Sequence, residues 1–322
     1  MLNNTEKIVV YLDPGTLEYM FLNYTDKRNY PVMNKLFSVL RKEFVNDIVV
    51  TPLPMDHIYP YIEENKIDPN FLSMMGEIGQ VQFHQRFTVR MLQLIRVLKF
   101  FFKQNYKKEL WRDAFSSDPD KKYSQGFNKY RSFTAQDVKK ALERERKYSQ
   151  ISDFIEGYVK GNKAENLAAE HFRFLWEDFP DLIKPHLPAE GNPEAHIENF
   201  LKIEEIKDIP EFHILSNILF PLFDAYGIED IENGNKDDIL MAATSMSSYL
   251  PYCHFYATSS DIAELIIMSG INDVYNVKLY DNNESSLYKL IDDLSEAIII
   301  KQSVVEKSKS KSIYRKTGPQ KF

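Results

Sequence analysis

Four short stretches carry side chains that could do chemistry. Each sits where a strand pattern gives way to a turn or a helix. Asp13 follows the apolar run 7–12 and precedes Pro14-Gly15-Thr16. A carboxylate just beyond a strand of an open parallel sheet faces the crevice in which such sheets bind ligands; Asp-Pro-Gly is equally good turn chemistry. The second stretch is Thr51-Pro52-Leu53-Pro54-Met55-Asp56-His57, in which His57 reads either as a ligand or as a hydrogen-bonded structural histidine. The third is Asp237-Asp238 at a helix start, where capping and the helix dipole also favour acids. The fourth is Thr258-Ser259-Ser260-Asp261, closing a strand and opening a helix. Carboxylates that converge from separate strand ends repel one another and call for a divalent cation held by oxygen, Mg²⁺ or Mn²⁺. Such a site activates water for phosphodiester cleavage.

The elements that must position these residues follow from periodicity. Residues 7–12 and 47–51 read as short buried strands, and 31–44 has helical spacing. Residues 54–64 read as a further helix with Pro60 inside it. Strand, helix, strand, helix predicts a parallel sheet covered by helices. The pattern resumes late: helices at 209–226, 237–248, 260–268 and 285–299, and strands at 253–258 and 274–280. Between 69 and 208 no strand pattern occurs; helices are expected at 89–102 and along 134–179, with a polar loop at 116–132. The fold expected is α/β, with a central parallel sheet of about four to five strands. The core is formed by 1–68 and 205–300, a helical insertion spans 69–204, and 301–322 is a basic, disordered tail.

Bulk properties narrow the function classes. The single cysteine, Cys253, excludes an internal disulfide and points to a reducing, cytoplasmic setting. No apolar run approaches membrane-spanning length, and residues 1–7 do not read as a signal peptide. The net charge is −7, yet residues 86–147 hold seventeen Lys and Arg against seven acids, and 301–322 hold seven against one. Arg90, Arg96, Lys99, Lys103, Lys107 and Arg112 are the candidate contacts to a phosphate backbone. Solvated helix faces of alternating sign explain the same pattern. Phe101, Phe102, Tyr106 and Trp111 are candidate stacking groups, with core packing as the reading preferred. The phosphate-cradling, dinucleotide and zinc-protease motifs are absent.

Taken together, these pieces resemble the PIN-like nuclease family. The resemblance lies in Tyr11-Leu12-Asp13, in Pro52-Leu53-Pro54 with His57, and in Pro251-Tyr252-Cys253 followed by Thr258-Ser259. It covers roughly residues 7–65 and 205–280. It implies a metal-dependent endoribonuclease on a parallel sheet, of a kind that acts as a bacterial toxin or antiviral defence effector. Asp13 matches the first metal-binding acid, Asp237 or Asp238 is nearest to the third, and His57 matches the histidine of its segment. The chain departs from the pattern at Pro60, where the family has a glutamate, at Ser259, where it has an aspartate, and at Ala242 and Ser245, where a further acid would stand. Asp56 and Glu64, four residues either side of Pro60, would share its face on an unbroken helix, and Asp261 would stand in for Ser259.

Two functions therefore compete. One is a metal-dependent ribonuclease with catalytic Asp13, Asp56 and Asp238, metal ligands Asp13, Asp237, Asp238 and Asp261, and His57, Glu64, Thr258 and Ser259 around them. The other is an inactive PIN-like scaffold that binds RNA or a protein partner. A weaker third reading is a subunit of a larger assembly docked through the tail. Three or more converging carboxylates favour the enzyme; Asp13 alone favours the scaffold.

Overall fold

The structure is a computed structural model. It describes residues 6–104, 110–122, 134–148, 169, 172–173, 175–202, 209–214, 217–218 and 248–316. The chain opens with β1 (Ile8–Leu12), α1 (Pro14–Tyr24), α2 (Pro31–Val45) and β2 (Val49–Val50). A 3₁₀ helix (Met55–Tyr61) and a small antiparallel hairpin of β3 (Ile62–Glu63) and β4 (Lys66–Ile67) follow. Next come α3 (Pro69–Ile78), α4 (Arg86–Phe101), α5 (Ala135–Tyr148), α6 (Pro180–Ile183) and α7 (Pro193–Phe200). The closing part is β5 (Phe255–Thr258), α8 (Ser260–Ser269), α9 (Ile271–Tyr275), β6 (Lys278–Asp281) and α10 (Glu284–Lys316).

The sheet is four-stranded and parallel, in the order β2-β1-β5-β6. Its central strands are buried on both faces, which is why they read as unbroken apolar runs. Alternation along β1 sorts the layers. Ile8, Val10 and Leu12 pack into one cluster with α1, α2, α3 and α10. Val9 and Tyr11 pack into the other, with α8, α9 and the segments around Val81–Phe83 and Tyr249–Cys253. A third cluster joins α4 to Phe172, Ile183, Ile197, Phe200 and Phe212. No helix among the described residues is long and apolar enough to cross a membrane.

The expected α/β class and parallel sheet are found, with four strands. Several finer expectations are corrected. The helix expected over 54–64 is a 3₁₀ turn that stops at Tyr61, because Pro60 has no N–H to continue the ladder. Val274 and Tyr275 belong to α9, so the last strand begins at Lys278. Asn276, at φ 53°, makes the break between them. Residues 301–316, expected to be a disordered tail, extend α10 to Lys316. A helix already anchored by Leu287, Leu290, Ile291, Leu294 and Ile298 needs no new nucleus to grow, and Lys is a good helix former. Between 69 and 202 the described residues hold helices and, beyond them, isolated bridges at Gln82, Phe83 and Phe115. Part of this block packs on the sheet, with Phe71, Met74 and Ile78 in one cluster and Phe83, Val89 and Phe115 in the other, and part of it forms the third cluster.

Candidate functional site

Topology brings the first candidate into position. From β1 the chain crosses to β2 on one side, and later runs from β5 to β6 on the other. The β1–β5 boundary is therefore a topological switch point, where open α/β sheets hold their ligands beyond the strands' carboxyl ends. Asp13 stands at that end of β1, and its N–H donates to the Ala257 carbonyl of β5 at 3.0 Å. The residue is 9% exposed. Oδ1 accepts the Thr16 N–H at 2.7 Å, capping α1 behind Pro14. Oδ2 accepts the Thr258 hydroxyl at 3.2 Å. Asp13 thus caps α1 from the carboxyl end of β1.

The Tyr61 phenol lies within electrostatic reach of both Glu18 and Asp13. Thr16 Oγ1 and the Tyr61 hydroxyl are buried without a hydrogen-bond partner among the described residues. Burial, with Glu18 and Asp13 adding to it, pushes the Tyr61 phenol far above its ordinary value, so it stays a neutral donor. Ser259 is the cap residue of α8, but its side chain makes no capping hydrogen bond. Gly15 lies close by: a Cβ built there would stand 3.6 Å from Asn282 Nδ2 and 3.8 Å from Asp13 Oδ1, ordinary contact distances.

His57 lies on the opposite face of the sheet from Leu12. It is buried, and its Nε2 shares a 2.9 Å hydrogen bond with the Tyr11 hydroxyl. Tyr11 stacks on Tyr256 at 4.2 Å between centroids and borders Tyr249 and Phe83. His57 is thus the hydrogen-bonded core histidine.

The other acids do not join Asp13. Glu64 is exposed at φ 48°, and with Asn65 it closes the tight β3–β4 turn, so no helix face links it to residue 56. Asp261 is exposed in the first turn of α8. The Asp56 side chain, Asp237, Asp238, Ala242 and Ser245 lie outside the described residues. Among the described residues no group of three or more His, Cys, Asp or Glu side chains could hold a metal ion. Mg²⁺ and Mn²⁺ need several oxygen ligands. Asp13 by itself supplies two of them, each already accepting one hydrogen bond.

The basic candidates on α4 separate sharply. Arg90 is fully buried, and its Nε lies 2.8 Å from Glu211 Oε1, itself 1% exposed. Arg96 Nε donates to Asp113 Oδ2 at 2.6 Å, and the Tyr252 hydroxyl reaches the same oxygen at 3.4 Å. Burial raises the Asp113 carboxyl, with Arg96 pulling it back. These arginines fasten α4 to its neighbours and are not a phosphate-binding face. Lys103 and Arg112 are exposed, Lys99 is half-buried and Lys107 lies outside the described residues. Of the aromatic set, Phe101 and Phe102 pack edge-to-face on each other and join the helical cluster, as core rings do.

A feature the sequence reading missed lies beside the crevice. The α1–α2 connection and the start of α10 enclose a cavity of about 550 Å³, lined by Tyr19, Arg28, Tyr30, Asn282 and Glu284 among others. Its sequence signal is Asp281-Asn282-Asn283, a polar run at a strand end like the four singled out. Compared with family models, curated proteins and solved structures, the chain matches none.

Proposed function

We propose that the chain binds single-stranded RNA at the β1–β5 crevice, on a PIN-like scaffold that does not cleave it. The observation that carries this reading is Asp13. It stands at the switch point, held by Thr16 and Thr258, and among the described residues it is not joined by a metal-binding group of acids. A carboxylate so placed can accept a hydrogen bond from a ribose hydroxyl, the group that distinguishes RNA from DNA.

A metal-dependent endoribonuclease is the second reading. The same placement of Asp13 favours it, and it requires Asp237 or Asp238 to reach the crevice. One experiment separates the two. Labelled single-stranded RNA and DNA of one sequence are titrated in EDTA, and RNA cleavage is assayed in Mn²⁺. The scaffold reading expects RNA to bind about fivefold tighter than DNA, the worth of one hydrogen bond, with that preference lost in Asp13→Ala and no cleavage. Mn²⁺-dependent cleavage abolished by both Asp13→Asn and Asp238→Asn would overturn it in favour of the nuclease.

A further inference from the structure

The cavity beside the crevice combines three chemistries that one ligand class uses together. Its first component is aromatic. Tyr19 and Tyr30 meet edge-to-face at 5.4 Å and 65°, and Tyr19 remains 38% exposed. A ring fixed by a neighbour yet open on one side is a stacking platform that loses little conformational entropy on use. Its second component is cationic. Arg28 donates to the Tyr30 hydroxyl at 3.1 Å and forms no ion pair among the described residues, so most of its guanidinium donors remain for an anion. Its third component is a mixed set of donors and acceptors: the Asn29 and Asn282 amides with the Glu284 carboxylate. The first turn of α2 adds backbone donors at the rim, because Tyr30 caps it without a side-chain hydrogen bond.

Other ligand classes use only part of this. An apolar ligand would leave Arg28 and the amides unanswered. Inorganic phosphate would use Arg28 and ignore the rings. A divalent cation would meet one carboxylate opposite a guanidinium. A nucleotide uses all three, and about 550 Å³ falls within the roughly 300–1,000 Å³ range of small-ligand sites. The cavity also comes close to Asp13. Asn282 lines it, and the Asn282 amide lies 3.6 Å from the point a Cβ on Gly15 would occupy, two residues from Asp13.

We propose that this cavity is a nucleotide subsite. A base stacks on Tyr19, its phosphate lies on Arg28, and the strand continues past Asn282 toward Asp13. The inference rests on the RNA-binding reading for the path of the strand, but not for the occupancy of the cavity.

The test is calorimetric titration of the full chain with AMP, CMP, GMP and UMP, with ribose 5-phosphate and inorganic phosphate as controls. The same variants are then titrated with labelled single-stranded RNA. Tyr19→Ala and Arg28→Gln change exposed side chains and leave the fold intact. Each is expected to weaken at least one mononucleotide about tenfold, the loss of one stacking or charged contact, whereas Tyr19→Phe retains affinity. A parallel loss on RNA supports the path toward Asp13. Mononucleotide binding without any RNA binding by the unmodified chain would sink the RNA reading and leave the subsite standing. No mononucleotide binding at millimolar concentration, equal binding by all variants, or ribose 5-phosphate binding as tightly as AMP would overturn the subsite.

Discussion

The crevice end of the sheet and the α4 layer are both rich in polar and charged side chains, and they use them in opposite ways. Around α4 the charges are answered inside the protein. Arg90 lies against Glu211 at almost no exposure, and Arg96 binds Asp113 beneath Tyr252. In the cavity beside the crevice, polar groups are held in place but not used up: the Asn282 amide and the outer face of Arg28. A buried ion pair is retained because its removal is costly, and it tells nothing of ligands. Polar groups left facing a concavity are what a ligand can satisfy. Charge density along the sequence does not distinguish charges paired inside the protein from polar groups that line a cavity.

The largest effect that would break this contrast is at Arg90. Arg90→Met leaves Glu211 buried without its cation and is expected to destabilise the fold by about 3–5 kcal/mol, read as a lower urea midpoint. At temperatures where the variant remains folded, its RNA affinity should match the parent's. A weakened affinity with unchanged stability would return Arg90 to the nucleic-acid surface.

Next is a pH dependence from a polar group used internally. His254 Nδ1 accepts the Val9 N–H at 2.9 Å, and burial, with Lys301 nearby, lowers its pKa to about 4. The unfolded chain, near 6.5, therefore binds the proton first as pH falls. Stability is fully present above about pH 6.5 and declines toward pH 4, by roughly 2–3 kcal/mol for this residue. His254→Asn, compared by thermal unfolding at pH 7 and pH 4.5, should flatten that slope; an unchanged slope would assign the acid lability elsewhere.

Asp13 is expected to show a smaller stability effect and a separable functional one. Asp13→Ala removes the α1 cap and costs about 1 kcal/mol, whereas Asp13→Asn keeps a capping side chain and costs less. Both should alter RNA selectivity. If Asn restored stability and selectivity alike, Asp13 would be a cap and nothing more. The smallest effect belongs to Lys103→Ala and Arg112→Ala. Both residues are exposed, so each should change stability by under about 0.5 kcal/mol. If either contacts phosphate, the salt dependence of RNA binding falls by about one unit of slope per contact; no change in slope places the strand entirely at the crevice.

Much of the fold was legible. The unbroken apolar runs at β1 and β5 marked strands buried on both faces, and the 3.6-residue spacing of α2 and the first half of α10 marked helices with one covered face. Pro60 announced the break that ended the expected helix, and the resulting turn put Glu64 beyond any shared face with residue 56. Asp13 was placed correctly because a strand end is a local signal. What sequence could not supply was pairing at long range. Nothing near Arg90 names Glu211, 121 positions away, and nothing in 26–31 announces that it will meet 282–284 across a cavity. Burial, and therefore whether a charge is answered or available, is a property of the packed chain. The amino-acid order determined the strands, the helices and the acid at the end of β1. The tertiary structure alone decided which polar groups face one another and which face an open concavity, because strand order and layer packing bring together residues that no local period connects.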